Sequence, residues 1–142
     1  MTKLDEAIVV ATSLHAGQVD KVGEPYILHP LRVMSRLGHN APESERIVAV
    51  LHDVIEDTPC TLATLQPTFG NEIIAALDAI SRRPGEPYDD YIGRVELNKL
   101  ACRVKVADLR DNLDETRCGD DQSLVSLHAR YRRTLLRLNV LY

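Results

Sequence analysis

The stretch LHDVIEDTP, Leu51 to Pro59, places one histidine and three carboxylates in nine positions without a basic side chain. Imidazole nitrogen beside carboxylate oxygen is a donor set for a divalent cation such as Mn²⁺, Fe²⁺, Zn²⁺ or Co²⁺. On a helical wheel His52, Asp53, Glu56 and Asp57 span about 140°, while Ile47, Leu51, Val54 and Ile55 take the opposite arc. The acids also fall in the last turn of that expected helix, where the backbone dipole favours cations over anions. Between Glu43 and Pro59 the basic side chain present is Arg46, on the far side of the wheel. A counter-charge is therefore expected from elsewhere, either a lysine or arginine or, more economically, a metal ion.

An adjacent His52-Asp53 pair supplies two ligands, so further donors must come from other segments. Two segments offer them. His29 stands in PYILHP, at the mouth of an expected helix between Pro25 and Pro30. Asp108 stands in KVADLRDN, where Lys105, Asp108 and Asn112 share one helical face within about 60° and Val106, Leu109 and Leu113 form the neighbouring apolar stripe. Each residue also has an ordinary reading. A His-Asp dipeptide arises by chance, His29 could be a satisfied buried histidine, Asp57 a turn residue before Thr58-Pro59, and Asp108 a partner of Lys105 or Arg110.

The elements that must position these residues read as helices, because apolar positions recur at three- and four-residue spacing and strict alternation is absent. The expected class is all-α. Leu4, Ile8, Ala11 and Leu14 or His15 stripe a first helix that ends at Gly17, and the loop QVDKVGEPYI follows. A short helix is expected to start after His29, with Pro30 in its first turn. The next runs from about Glu43 to Glu56. Thr61 caps a short helix before Gly70, and Asn71 to about Arg82 forms another. RRPGEP is a break. Helices over Tyr88 to Glu96, Asn98 to about Arg117 and Ser123 to Leu141 complete a single domain, 1–142.

Composition narrows the function class. Hydrophobic residues make up 44% of the chain, but it has one Phe and no Trp, so the core must be aliphatic. The net charge of −4 argues against a broad nucleic-acid surface, which needs clustered Lys and Arg, yet allows an anionic small molecule held by local charge. Cys60, Cys102 and Cys118 are odd in number and form no C-x-x-C pair, so neither a disulfide framework nor a thiolate zinc site is indicated. The N-terminus lacks the basic start and cleavage site of a signal peptide, and no apolar run reaches the roughly 18–20 residues of a membrane span. A soluble, cytoplasmic protein is expected. A homo-oligomer is compatible with the sequence, and no patch in it demonstrates one.

The order His29, His52-Asp53, Asp108, with helices between, resembles the HD-domain metal-dependent phosphohydrolases. Within them, HAGQVDKVGEPYILHPLRV, LHDVIEDT and KVADLRDNL are similar to the hydrolase domain of the RelA/SpoT enzymes and to the small alarmone hydrolases. The likeness covers Ala11 to about Leu113. It implies a compact multi-helix HD-domain bundle in which His29, His52, Asp53 and Asp108 hold one divalent metal, usually Mn²⁺. It implies that Glu56 and Asp57 orient water and handle protons while pyrophosphate is removed from the 3′ position of a (p)ppGpp-like or (p)ppApp-like nucleotide. Asn112 matches a position near the sugar and phosphates, Tyr26 and Lys21 match pocket positions, and Tyr131 is a further candidate on the last helix. Lys21 also reads as an exposed loop lysine, and ARYRRTLL as an ordinary amphipathic helix.

The departures concern the substrate. Asp20-Lys21 stands where the guanine-alarmone hydrolases have Arg-Lys, so the side chain expected to stack on the purine is absent. Leu109 stands where a basic residue is usual, and the loop SRRPGEPYDDY is shorter and differently charged, with Arg82 and Arg83 available from another direction. The alternatives are an HD-domain phosphatase acting on another nucleotide or phosphate monoester, and an inactive metal-holding binding module.

Overall fold

The structure, a computed structural model, describes residues 1–114 and 124–142. Helix α1 (Lys3–Leu14) starts at a capping box in which the Thr2 hydroxyl accepts the Asp5 N–H and the Asp5 carboxylate accepts the Thr2 N–H. Gly17, at φ 85°, then turns the chain out of the helical path. Helix α2 (Leu28–Arg36) begins one residue before His29 rather than after it, so His29 and Pro30 both lie in its first turn. The remaining helices are α3 (Glu43–Leu51), α4 (Val54–Asp57), α5 (Leu62–Ile80), α6 (Tyr88–Glu96), α7 (Lys99–Asn112) and α8 (Val125–Leu138). Among the described residues the one β-type pairing is an isolated bridge between Val19 and Pro25, so the fold is all-α.

Several expected boundaries move. The helix expected over Glu43 to Glu56 is interrupted at His52-Asp53, where Asp53 takes φ −99° and ψ −2°. That is the bridge region between helix and strand. The apolar spacing of Ile47, Leu51 and Ile55 carries on across the interruption, so periodicity alone could not reveal it. The two helices expected on either side of Gly70 are halves of α5, which Gly70 kinks at φ 83°. Helix α7 stops at Asn112, and the expected end at Arg117 and start at Ser123 lie outside the described residues. Helix α8 ends at Leu138, short of Leu141.

Helices α3 and α7 form the centre. Residues Ile47 to Leu51 of α3 are all buried, because α1, α2, α5 and α7 pack around them. A helix that is apolar on every side is stable only when so enclosed. Helix α7 touches α2, α3, α5, α6 and α8. The core is aliphatic, with Leu51, Leu77 and Leu109 fully buried, each worth about 1.5–3 kcal/mol. Leu109, at the position where the resemblance leads one to expect a basic residue, thus belongs to the core. Among the described residues no helix is long and apolar enough to cross a membrane.

Against this apolar background α7 also buries two carboxylates, Asp108 and Asp111. Buried charge is costly unless it is paired and hydrogen-bonded. Where their partners lie identifies the site.

Candidate functional site

The break between α3 and α4 aims two consecutive side chains at one point. In a continuous helix His52 and Asp53 would diverge by about 100°. Here His52 Nε2 lies 3.0 Å from Asp53 Oδ2. The first turn of α2 brings His29 Nε2 to 3.5 Å from the same oxygen, and α7 brings Asp108 Oδ1 to 2.9 Å from His29 Nε2 and 3.3 Å from His52 Nε2. The four residues expected to hold a metal therefore converge from three segments far apart in sequence. His29, His52 and Asp53 form a cluster that could bind a divalent metal ion. Donor atoms about 2.0–2.2 Å from one ion lie roughly 2.8–3.6 Å from each other, the spacing found here.

The outer nitrogens of both imidazoles are already committed. His52 Nδ1 donates to the Ala49 carbonyl at 2.7 Å, and His29 Nδ1 donates to Asp111 Oδ2 at 2.7 Å. A carbonyl and a carboxylate can only accept, so each ring carries its proton on Nδ1 and turns the Nε2 lone pair inward. Among the described residues His52 Nε2 is buried without a hydrogen-bond partner. A lone pair facing two carboxylate oxygens, at 3.0 and 3.3 Å, is the electrostatic signature of a site for a cation. Two neutral imidazoles and two carboxylates balance one divalent charge. The donor set therefore fits the group.

Without a cation, protons take that place. Burial opposes the charged imidazole, but the hydrogen bonds that its ring can donate to Asp108 and Asp111 outweigh this and draw His29 toward protonation. Burial likewise opposes a charged His52, and Asp53 and Asp108 outweigh it. Burial would also raise both aspartates, yet His52 holds Asp53 below the usual carboxylate range, and Lys105 and His52 do the same for Asp108.

Around the cluster stands a shell of positioning groups. The Tyr26 hydroxyl donates to Asp53 Oδ2 at 2.7 Å, Lys105 Nζ donates to Asp108 Oδ2 at 2.9 Å, and Asn112 Nδ2 donates to Asp108 Oδ1 at 3.1 Å. Tyr26 and Asn112, expected as pocket residues, thus also touch the carboxylates of the cluster. Asp111 is held in turn by Arg32 Nε and Arg36 Nε, at 3.1 and 3.2 Å from its Oδ1. The sequence reading passed over Asp111, although it lies three residues after Asp108 and so on a neighbouring part of the same helix. Gln18, quoted within HAGQ but given no role from the sequence, accepts from His15 Nδ1 at 2.8 Å and donates to the Asp57 carbonyl at 3.0 Å. His15 is buried and its ring packs 5.1 Å from Tyr26. The order H-x-G-Q, with two polar side chains flanking a helix-ending glycine, was the available signal.

Glu56 and Asp57 lie in α4, directly after Asp53. Glu56 Oε1 accepts the backbone N–H of Arg82 at 2.5 Å. Burial raises both carboxyls above their usual range, and the Asp53 charge adds to the effect. The Arg82 guanidinium itself is spent on the Glu86 carbonyl and the Tyr88 ring, and Arg83 pairs with Asp78. Their side chains are therefore engaged within the 78–88 region.

A cavity of about 400 Å³ opens beside the cluster, between the α1–α2 loop and α8. His29, Lys21, Tyr26, Asn112 and Tyr131 all line it, so the residues expected to bind substrate share one wall system with an expected metal ligand. Asp20 lines it too, but its Oδ1 accepts the N–H groups of Val22 and Glu24, both at 3.0 Å. That carboxylate organises the loop carrying Lys21, a role its sequence position did not suggest.

Comparison with known proteins places these features. The HD domain family matches residues 7–84, more than half of the chain. The bifunctional (p)ppGpp synthase/hydrolase SpoT of Escherichia coli is 38% identical over 81 residues, covering 56% of this chain and 12% of that protein. The guanosine-3′,5′-bis(diphosphate) 3′-pyrophosphohydrolase of Aquifex aeolicus is 29% identical over 121 residues, covering 81% of this chain and 17% of its own length. The chain thus spans less than a fifth of these curated relatives. A solved structure of a metazoan ortholog of SpoT, described as hydrolysing ppGpp, superimposes with a TM-score of 0.83 at 21% identity, covering 99% of this chain and 88% of that one. At that identity the likeness speaks for the fold.

Proposed function

This chain belongs to the HD domain family, and on that premise we propose that it is a metal-dependent phosphohydrolase that removes pyrophosphate from the 3′ position of a (p)ppGpp-like or (p)ppApp-like nucleotide. The observation that carries this reading is the meeting of four inward-facing donor atoms with a 400 Å³ cavity through a shared residue, His29. The names of the relatives from Escherichia coli and Aquifex aeolicus support the substrate class. Both features that pointed toward a different phosphatase have structural explanations, since Leu109 is core and Asp20 caps its own loop.

In the proposed site His29, His52, Asp53 and Asp108 hold one divalent ion; the two-nitrogen, two-oxygen set suits Mn²⁺, Fe²⁺, Zn²⁺ or Co²⁺, and the resemblance to HD-domain hydrolases favours Mn²⁺ among them. When bound, such an ion acidifies water and polarises a phosphoryl oxygen. Tyr26, Asn112, Lys105 and Asp111 fix the ligand orientations, as such outer partners do in metal sites generally. Lys21 takes a phosphate charge, and Tyr131 closes the far wall of the cavity. A water oxygen adds to phosphorus, the bond from phosphorus to the 3′ oxygen breaks, and pyrophosphate leaves. The Glu56–Asp57 pair accepts a proton from the water and returns it to the 3′ oxygen, which becomes a hydroxyl. The proposed unit is the single domain 1–142, and the free thiols of Cys60 and Cys102 support a reducing, cytoplasmic setting.

The test is turnover of guanosine and adenosine 3′-diphosphates by Mn²⁺-loaded protein, followed by ion-exchange chromatography beside plain nucleotides, with Asp53→Ala as control. Pyrophosphate release that disappears in the variant is expected. Full turnover by Asp53→Ala, or orthophosphate release from plain nucleotides alone, would overturn the proposal.

A further inference from the structure

Helix α7 presents a second stripe away from the metal cluster. Asp108 and Asn112 face the cluster, whereas Cys102, Arg103, Val106 and Arg110 follow one another at helical spacing along another face. That stripe, the end of α2 and the end of α8 enclose a separate cavity of about 240 Å³. Arg36, Arg103 and Arg110 line it, and among the described residues no Asp or Glu side chain does. In a chain of net charge −4 this gathers three guanidinium groups around one cavity.

The acids that pair with two of these arginines stand outside the lining. Glu45 Oε1 lies 2.6 Å from Arg103 Nε, and Asp111 Oδ1 and Asp114 Oδ2 lie 3.2 and 2.9 Å from Nε and Nη2 of Arg36. Arg110 Nη2 is bonded to a neutral amide, Asn139 Oδ1, at 3.0 Å. A guanidinium carries five N–H donors in one plane, more than the single contact that Arg103 or Arg110 makes here. Pairing at one edge holds the plane still and leaves donors for a second acceptor. Leu37, Val106 and Tyr142 add apolar wall beside the three charges.

We propose that this cavity is a second ligand site, taking a phosphate or diphosphate group between Arg36, Arg103 and Arg110. The group arrives either as a free inorganic anion or as part of a phosphorylated metabolite whose apolar portion lies on Leu37, Val106 and Tyr142. The site is separate from the first cavity, with which it shares no lining residue, although Arg36 also holds Asp111.

The test is a titration of ¹⁵N-labelled protein with inorganic pyrophosphate, followed by backbone amide resonances. Those of Arg103, Ala107, Arg110 and Asn139 are expected to shift and saturate, with the resonances of Lys21 and Val22 reporting the first cavity separately. Arg110→Gln removes one exposed charge-assisted contact and is expected to raise the dissociation constant at the second site about tenfold or more, leaving the Lys21 and Val22 response unchanged. Adenosine 5′-diphosphate in place of pyrophosphate distinguishes the sources. Tighter binding points to a metabolite, and equal or weaker binding points to the free anion. Resonances around Arg103 and Arg110 that stay still at saturating pyrophosphate, or that move identically in Arg110→Gln, would overturn the proposal.

Discussion

Replacing Asp111 by asparagine should weaken metal binding although Asp111 is not itself one of the four inward-facing donors. Its carboxylate is fully buried, accepts His29 Nδ1–H at 2.7 Å, and carries Arg32 and Arg36 on its other side. Asparagine keeps the shape and an acceptor oxygen but removes the charge. A hydrogen bond to a charged group is worth about 1.5–3 kcal/mol against about 1 for a neutral one. The difference reaches the metal through the basicity and orientation of His29. Partners of this kind are typically worth about 10–100-fold in metal affinity, or roughly 1.4–2.8 kcal/mol. Arg32 and Arg36 are each about a third exposed, 30% and 33%, and can rehydrate, so the helices should persist. The assay is isothermal titration of Mn²⁺ against a competing chelator for wild type, Asp111→Asn and Asp108→Asn, with circular dichroism as a fold check. Asp108→Asn, which alters a donor atom, should lose more than Asp111→Asn. A folded Asp111→Asn that binds Mn²⁺ within about twofold of wild type would refute the role given to Asp111.

Glu56 is raised by burial, and a base must be ionised to work, so kcat/KM should fall as pH drops through a value above the ordinary glutamate range. Glu56→Gln should cost about 10²–10⁴ in rate and abolish that acidic limb, and an unchanged limb in the variant would reassign the group responsible. Gln18→Ala cuts the link from His15 to the Asp57 carbonyl, so kcat should drop roughly tenfold while Mn²⁺ affinity stays within about twofold. Parallel steady-state kinetics and metal titration decide it, since equal losses in both would place Gln18 with the ligand supports instead. Leu109→Arg buries a charge without a partner in the core, so it should destabilise by several kcal/mol in chemical denaturation. A stably folded variant with altered substrate preference would contradict the placement of Leu109 in the core.

Much of this site could be read along the chain because its chemistry is carried by residue type. His52-Asp53 stood out as a donor pair in a segment with too few cations to balance it, His29 and Asp108 joined it through the order that resembles the HD-domain hydrolases, and three- and four-residue apolar spacing was enough to expect an all-α fold. Helix ends were legible where a side chain or glycine makes the boundary, as at Thr61, Asn98 and Gly17. The interruption at His52-Asp53 was not, because the apolar stripe of a helix and of its continuation past a one-residue change of dihedral angle are the same pattern. Local sequence also determined that KVADLRDN would carry acids on a helix, but not that Asp111 would face His29 while Leu109 would face the core. Those outcomes depend on the angles at which α2 and α3 cross α7. Interhelical contacts between residues some 80 positions apart, such as His29 with Asp108 and Asp111, are set by the packing of whole apolar faces. The sequence thus determined which groups were available for a metal and a phosphate, and only the tertiary structure decided which of them meet, because burial and distance are properties of the packed core and not of neighbouring positions in the chain.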